Sequence, residues 1–243
     1  MGISLSSITK TASKPWRTII YGTHGIGKST FAAQAESPIF IQTEDGLSGL
    51  QCDAFPLAKT FEDVMDAIGV LYKEKHDFKT LVIDSVDWLE PLVWKYTANE
   101  HNKSSIEDFG FGKGFVFASD TWRKFIGGLN ALRDEKGMEV ILLAHTEVKR
   151  YDNPETEPYD RHQIKLHKRA SELMQEWADV VGFANYKTMV TKDDVGMNTK
   201  KTRAIGSGER VLYTSERPAF YAKNRFNLPQ EVQFTYAALK GEK

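Results

Sequence analysis

Cysteine is almost missing from this chain: Cys52 is the only one in 243 residues. One thiol cannot form an internal bridge, so a disulfide framework is excluded and a reducing compartment is expected. Long apolar runs are missing as well; none nears the ~18 residues of a membrane span. The opening MGISLSSITKTASKPW lacks the apolar stretch of a signal peptide. Repeats, low-complexity tracts and Cys/His clusters with metal-ligand spacing are missing too; His162 and His167 are too awkwardly spaced for a zinc site. These absences set the expectation of a cytoplasmic protein with no membrane partner. With 41% apolar and 27% charged residues, a chain of this length can bury a sizeable core without staples.

Strong net charge is also lacking. The formal value is −1, but it averages two unlike parts. Residues 1–160 carry 17 basic and 24 acidic side chains, and residues 161–243 carry 15 basic and 9 acidic. The second part is suited to an anionic partner, although chance sorting of solvated charges would look the same.

What is present is an alternation of apolar β-branched runs with helical stretches. After a polar, flexible arm at 1–15, strands are expected at 17–21, 39–42, 80–83, 139–144 and 180–184. Helices are expected from Lys28, after Thr60, over 86–100, over 119–136 capped by Ser119 or Asp120, and over 170–178. This order predicts an α/β fold with a mainly parallel five-strand sheet between helices. After residue 185, short runs separated by DDVG, GSG and RP predict antiparallel hairpins at one sheet edge. Two segments, 102–118 and 146–169, read as long irregular loops. One domain over 16–243 accounts for the length.

Residues Gly22-Thr23-His24-Gly25-Ile26-Gly27-Lys28-Ser29 match GxxxxGK[ST], with a buried strand before and a helix from Lys28 through Thr30 after. Glycines let backbone N–H groups turn inward around phosphate, and the helix N-terminus adds partial positive charge. Lys28 would reach the β- and γ-phosphates of ATP, and the Ser29 hydroxyl would bind Mg²⁺. Asp84 ends the strand TLVID, where its carboxylate would hold the Mg²⁺ opposite Ser29. Hydrolysis also needs a group to activate water. Ser85 follows Asp84 and cannot do this; Glu44, at the end of the strand in FIQTEDGL, is the candidate, with Asp45 its local competitor. NKSS at 102–105 lacks the Asp of a guanine-reading motif.

These features resemble the RecA-like ATPases. FIQTEDGL resembles that family's base-bearing strand, and LVIDSVDWL its Mg²⁺ strand. The strand VILLAHT resembles the one ending in a γ-phosphate sensor, which would be His145. AFYAKNRF resembles the segment whose K-x-R pair, here Lys223 and Arg225, reaches a neighbouring subunit's nucleotide. The bland alternatives are a strand-end histidine and a basic edge strand. The likeness spans roughly 16–228 and is closest to the small single-domain phage ATPases linked to single-strand annealing and recombination. It implies a RecA-like P-loop NTPase core, ATP and Mg²⁺ as cofactors, single-stranded DNA and further copies in a ring or short filament as partners, and a single-stranded-DNA-binding protein as another. For a phage-encoded chain the location would be the host cytoplasm.

In that family two loops following the core strands line the DNA path, and 102–118 and 146–169 fall in those places. The first carries Phe109, Phe111, Phe115 and Phe117, suited either to stacking on bases or to plugging the core. Around the second lie Lys149, Arg150, Arg161, Lys165, Lys168 and Arg169, the candidate phosphate contacts. Four acids between the two basic groups leave a solvated loop as the alternative. The expectation is an ATPase that binds single-stranded DNA without sequence preference. A nucleotide-driven regulatory or assembly ATPase acting on a protein partner, and a small-molecule phosphotransferase, are the other readings.

Overall fold

The computed structural model describes residues 4, 5, 8, 10, 12–194 and 200–241. Much of the expected arm, and the DDVG turn beyond Asp194, lie outside them.

The expected parallel core is present. β1 (Arg17–Gly22), β2 (Pro38–Gln42), β4 (Thr80–Asp84), β5 (Glu139–Tyr151) and β7 (Val180–Asp194) are mutually parallel where they pair, in the order β7-β1-β5-β4-β2. A two-residue strand, β3 (Asp53–Ala54), extends the parallel edge beyond β2. Both faces are buried because alternate residues point to opposite sides. Ile19, Tyr21, Leu81, Ile83, Val140 and Leu142 pack under helices α2 (Phe61–Lys73), α3 (Val86–Glu100), α4 (Lys113–Lys136) and α5 (Lys168–Trp177). Ile20, Val82, Ile141 and Leu143 face the short helices α1 (Lys28–Ala32) and α6 (Tyr236–Lys240). Thr60 caps α2 as expected: its hydroxyl accepts from Asp63 N–H, and the Asp63 carboxylate accepts from Thr60 N–H.

The antiparallel C-terminal part is also present. β8 (Lys200–Tyr213) runs antiparallel to β7 and to β10 (Glu231–Gln233), and β9 (Lys223–Asn224) runs antiparallel to the start of β7.

Three expectations are corrected. Segment 146–169 is not an irregular loop. β5 continues past the sheet to Tyr151 and folds back as β6 (Tyr159–Ile164), an antiparallel hairpin whose turn holds Pro154 and Pro158. The two prolines mark the turn, and the mixed charge reflects a half-solvated ribbon. Segment 102–118 contains a short 3₁₀ helix, Ile106–Phe109, and α4 starts at Lys113 rather than 119. Gly112, at φ 68°, caps α4, so neither Ser119 nor Asp120 is the cap.

Candidate active site and nucleic-acid interface

The parallel strands end at one sheet edge, and the chemistry gathers there. β1 runs into the loop 22–29. Gly22 lies against β7, where a Cβ would collide with the Ala184 carbonyl oxygen. Gly25 and Gly27 have φ of +72° and +100°, a region side-chain-bearing residues avoid. A Cβ on Gly27 would also stand 2.6 Å from Arg210 Nη1. Arg210 donates to the Ile26 carbonyl at 3.2 Å and so braces the loop from β8.

The residues named from sequence converge on a cleft of about 490 Å³ lined by His24, Gly25, Gly27, Lys28, Ser29, Thr30, Glu44, Asp84 and His145. Lys28 is buried, and its Nζ donates to the carbonyls of Gly22 and Thr23. Burial pushes its ammonium pKa down, opposed by the nearby Asp84, Asp87 and Glu44 carboxylates. Ser29 Oγ donates to Asp84 Oδ2 at 2.6 Å. Burial raises the Asp84 carboxyl, against the lowering effect of the Ser29 hydrogen bond.

Ser29 and Asp84 therefore offer two adjacent hard oxygens, which suits Mg²⁺ completed by phosphate and water. Among the described residues no cluster of three or more His, Cys, Asp or Glu is arranged to hold a metal. An Mg²⁺ held mainly by substrate needs no such cluster.

Glu44 reaches the cleft through Thr43, which sequence reasoning missed. Thr43 N–H donates to the Asp84 carbonyl, and its hydroxyl both donates to the Ser85 carbonyl at 2.6 Å and accepts from Ser85 N–H at 3.0 Å. These bonds strap the end of β2 to the end of β4. Glu44, not Asp45, lines the cleft.

His145 lies where β5 leaves the sheet, level with Gly22. Its ring stacks on His24 with centroids 3.9 Å apart, and its Nδ1 is 3.9 Å from Glu44 Oε2. Its nearest partner is Asp87, also missed: Oδ1 accepts the His145 backbone N–H and Oδ2 lies 2.9 Å from Nδ1. Thr43, Asp87 and Arg210 belong to no short motif, and each acts across strands or elements.

Lys223 and Arg225 do not approach this cleft. They sit by the start of β7, at the sheet's opposite edge. Lys223 Nζ donates to the carbonyls of Gln175 and Glu176, and Arg225 to the Glu176 carbonyl and to Asp179. Both thus reach the C-terminal carbonyls of α5, a favourable place for cations.

Comparison with known families decides the class: a family described as an AAA domain matches residues 14–226. The chain belongs to that family. Residues 14–226 of this AAA-domain chain are a P-loop ATPase domain, and its sheet has the mainly parallel form with antiparallel C-terminal strands that was expected. The SPbeta prophage-derived uncharacterized protein YorG of Bacillus subtilis (strain 168) is 24% identical over 135 residues, 52% of this chain. The chain matches 39% of that relative's length. The crystal structure of the RadB recombinase is similar with a TM-score of 0.47 and 16% identity, over 93% of this chain and 90% of that one.

In this AAA-domain chain the hairpin β5–β6 continues from the strand end that carries His145. Arg161 departs from the expected role of an exposed phosphate contact. It is buried, paired with Glu216, donates to the Phe220 carbonyl, and lies over the Tyr151 ring. Lys149, Arg150, Lys165, Lys168 and Arg169 are exposed. Lys149 pairs with Glu147 at 2.7 Å, whereas the contacts Arg150–Asp152 and Lys168–Glu172 are long, at 3.7 and 3.9 Å. The phenylalanines divide between the two expected roles. Phe115 stacks on His167 at 4.1 Å and packs on the core; Phe109 meets His101 edge-on and Phe117 at a tilt. Phe111, between two glycines of positive φ, is fully exposed. No described helix is long and apolar enough to cross a membrane.

Proposed function

We propose that residues 16–243 act as one Mg²⁺-dependent ATPase domain that binds single-stranded DNA and promotes annealing or recombination of the phage type, in the cytoplasm. The observation that carries the hydrolytic part is the convergence of Lys28, Ser29, Glu44, Asp84 and His145 on one cleft. Lys28 neutralises the β- and γ-phosphates, and Ser29 and Asp84 hold Mg²⁺. Bound Mg²⁺ supplies positive charge for phosphoryl transfer. Glu44 accepts a proton from the attacking water, and His145 senses the γ-phosphate. Lys223 and Arg225 complete the site of a neighbouring copy in a ring or short filament, in the manner of an arginine finger.

The DNA part is supported by five exposed cations on and beside the hairpin that begins at His145, with Phe111 available to stack on a base. A hairpin that continues the sensor strand links γ-phosphate and DNA mechanically. A single-stranded-DNA-binding protein is a further partner in this reading. The test is titration of a fluorescent oligonucleotide at several salt concentrations, with and without MgATP. Salt-dependent binding that changes with nucleotide supports the reading. Its absence favours a regulatory or assembly ATPase with a protein partner, a reading in keeping with the acid pairing of Lys149. Transfer of phosphate to an acceptor other than water would point to a phosphotransferase.

A further inference from the structure

His145 could meet a γ-phosphate as a donor or meet water as an acceptor, and its neighbour decides between them. Asp87 is in the first turn of α3, with its side chain 2% exposed. Burial raises its pKa, but the hydrogen bonds from the His145 side chain and backbone outweigh this and hold it below the usual carboxylate range. The first turn of a fifteen-residue helix also favours a negative charge. An ionised carboxylate only accepts hydrogen bonds, so the 2.9 Å contact requires a proton on Nδ1. A neutral ring with that proton has a bare Nε2. Nε2 has no hydrogen-bond partner among the described residues, and the ring lines the cleft. The backbone N–H bond to Oδ1 holds the carboxylate beside Nδ1, and the His24 ring stacked on the imidazole resists a ring flip.

We propose that Asp87 is a positioning residue for hydrolysis, holding His145 in the Nδ1–H tautomer so that Nε2 accepts a hydrogen bond from the attacking water and senses the γ-phosphate through it. This rests on the reading in which Glu44 and His145 flank the γ-phosphate. The water oxygen bonds to the γ-phosphorus as the bond to the ADP oxygen breaks. One water proton passes to Glu44, while the other hydrogen stays on the water oxygen and points to Nε2. No further reactant is needed.

The test uses protein labelled with ¹³C,¹⁵N-histidine, with the His145 resonances identified by their loss in His145→Gln. Ring shifts in wild type with Mg²⁺ and a non-hydrolysable ATP analogue are expected to report Nδ1–H. In Asp87→Asn the amide can donate to Nδ1, so the tautomer is expected to invert. In that variant kcat should fall about 10- to 100-fold, the usual scale for losing an orienting partner, with little change in KM for ATP. Asp87→Glu should recover part of kcat. A wild-type His145 protonated on Nε2 overturns the proposal and needs no variant to fold. So does an Asp87→Asn protein that keeps the wild-type tautomer, or one whose tautomer inverts without loss of kcat. No turnover by wild type with the expected tautomer is a failure of the ATPase reading. The wrong tautomer in a protein that does turn ATP over is a failure of this one.

Discussion

Glu90 and His167 share one forked hydrogen bond: the His167 backbone N–H points between both carboxylate oxygens of Glu90, 3.0 Å from each. The bond ties α3 to the start of α5, just beyond the β5–β6 hairpin. Burial pushes the Glu90 carboxyl up from 4.5 to about 7, with Glu147 adding to the rise and the His167 bond opposing it. A raised pKa means that the folded state holds this proton while the unfolded chain has released it. The stabilisation is therefore complete below pH 4.5 and is lost as pH rises through about 7. At 1.36 kcal/mol per pH unit it amounts to ~3 kcal/mol at most. Urea unfolding at pH 5 and pH 8 should show a drop in stability that Glu90→Gln removes. An identical drop in that variant would assign it to other groups.

Lys28→Ala should reduce phosphate release to background, because Lys28 is the one Lys or Arg among the residues that line the cleft. Glu44→Gln should bind a fluorescent ATP analogue normally yet lose ~100-fold or more of turnover, within the range for a general base. Asp45→Asn should behave as wild type. Reversal of these last two results would transfer the base role to Asp45.

Gly22→Ala is expected to destabilise by about 1–3 kcal/mol, the usual cost of overpacking. The added methyl meets backbone, the Ala184 carbonyl, rather than a side chain that can rotate away. Thermal melting measures it, and an unchanged midpoint would show that β1 and β7 can separate freely.

Lys165→Ala with Arg169→Ala should lower the salt slope of oligonucleotide binding by roughly one for each cation removed from a phosphate, without changing the melting temperature. Arg161→Ala should act in the other direction, lowering the melting temperature because it removes the buried anchor of the hairpin. Equal effects of both variants on the slope would mean that Arg161 becomes accessible on binding.

The parts of the site legible in sequence are those whose chemistry needs neighbours along the chain. A loop that wraps phosphate does so with consecutive N–H groups, so the proposed phosphate ligands Gly25, Gly27, Lys28 and Ser29 have to lie close together in sequence. Asp84 and Glu44 are visible because strand ends mark the edge of a parallel sheet. Asp87 is not, because its partner lies 58 residues away and an acid in the first turn of a helix has an ordinary reason to be there. Thr43 looks like a turn residue for the same reason. The hairpin after His145 reads as a loop because its strands are short of apolar residues: a ribbon that leaves the core has little surface to bury, so alternation fades. Arg161 shows the converse. Its flanks are basic and polar, and nothing local announces the Tyr151 ring and Glu216 that enclose it.

The position of Lys223 and Arg225 carries a consequence for stoichiometry. They sit at the start of the parallel strands, and the phosphate loop sits at the end. At ~3.3 Å per residue, the length of β1 alone separates the two edges by about 17 Å. One molecule cannot lay these cations on its own nucleotide, so an assembly that uses them must be head-to-tail, each contact joining unlike faces. Every working site then has two owners. A subunit that lacks Glu44 silences only its own site, and one that lacks Arg225 silences only its neighbour's. Mixing the Glu44→Gln and Arg225→Ala proteins should restore turnover at the junctions where an intact cleft meets an intact pair. Zero recovery would leave the two cations with only the end of α5 to serve.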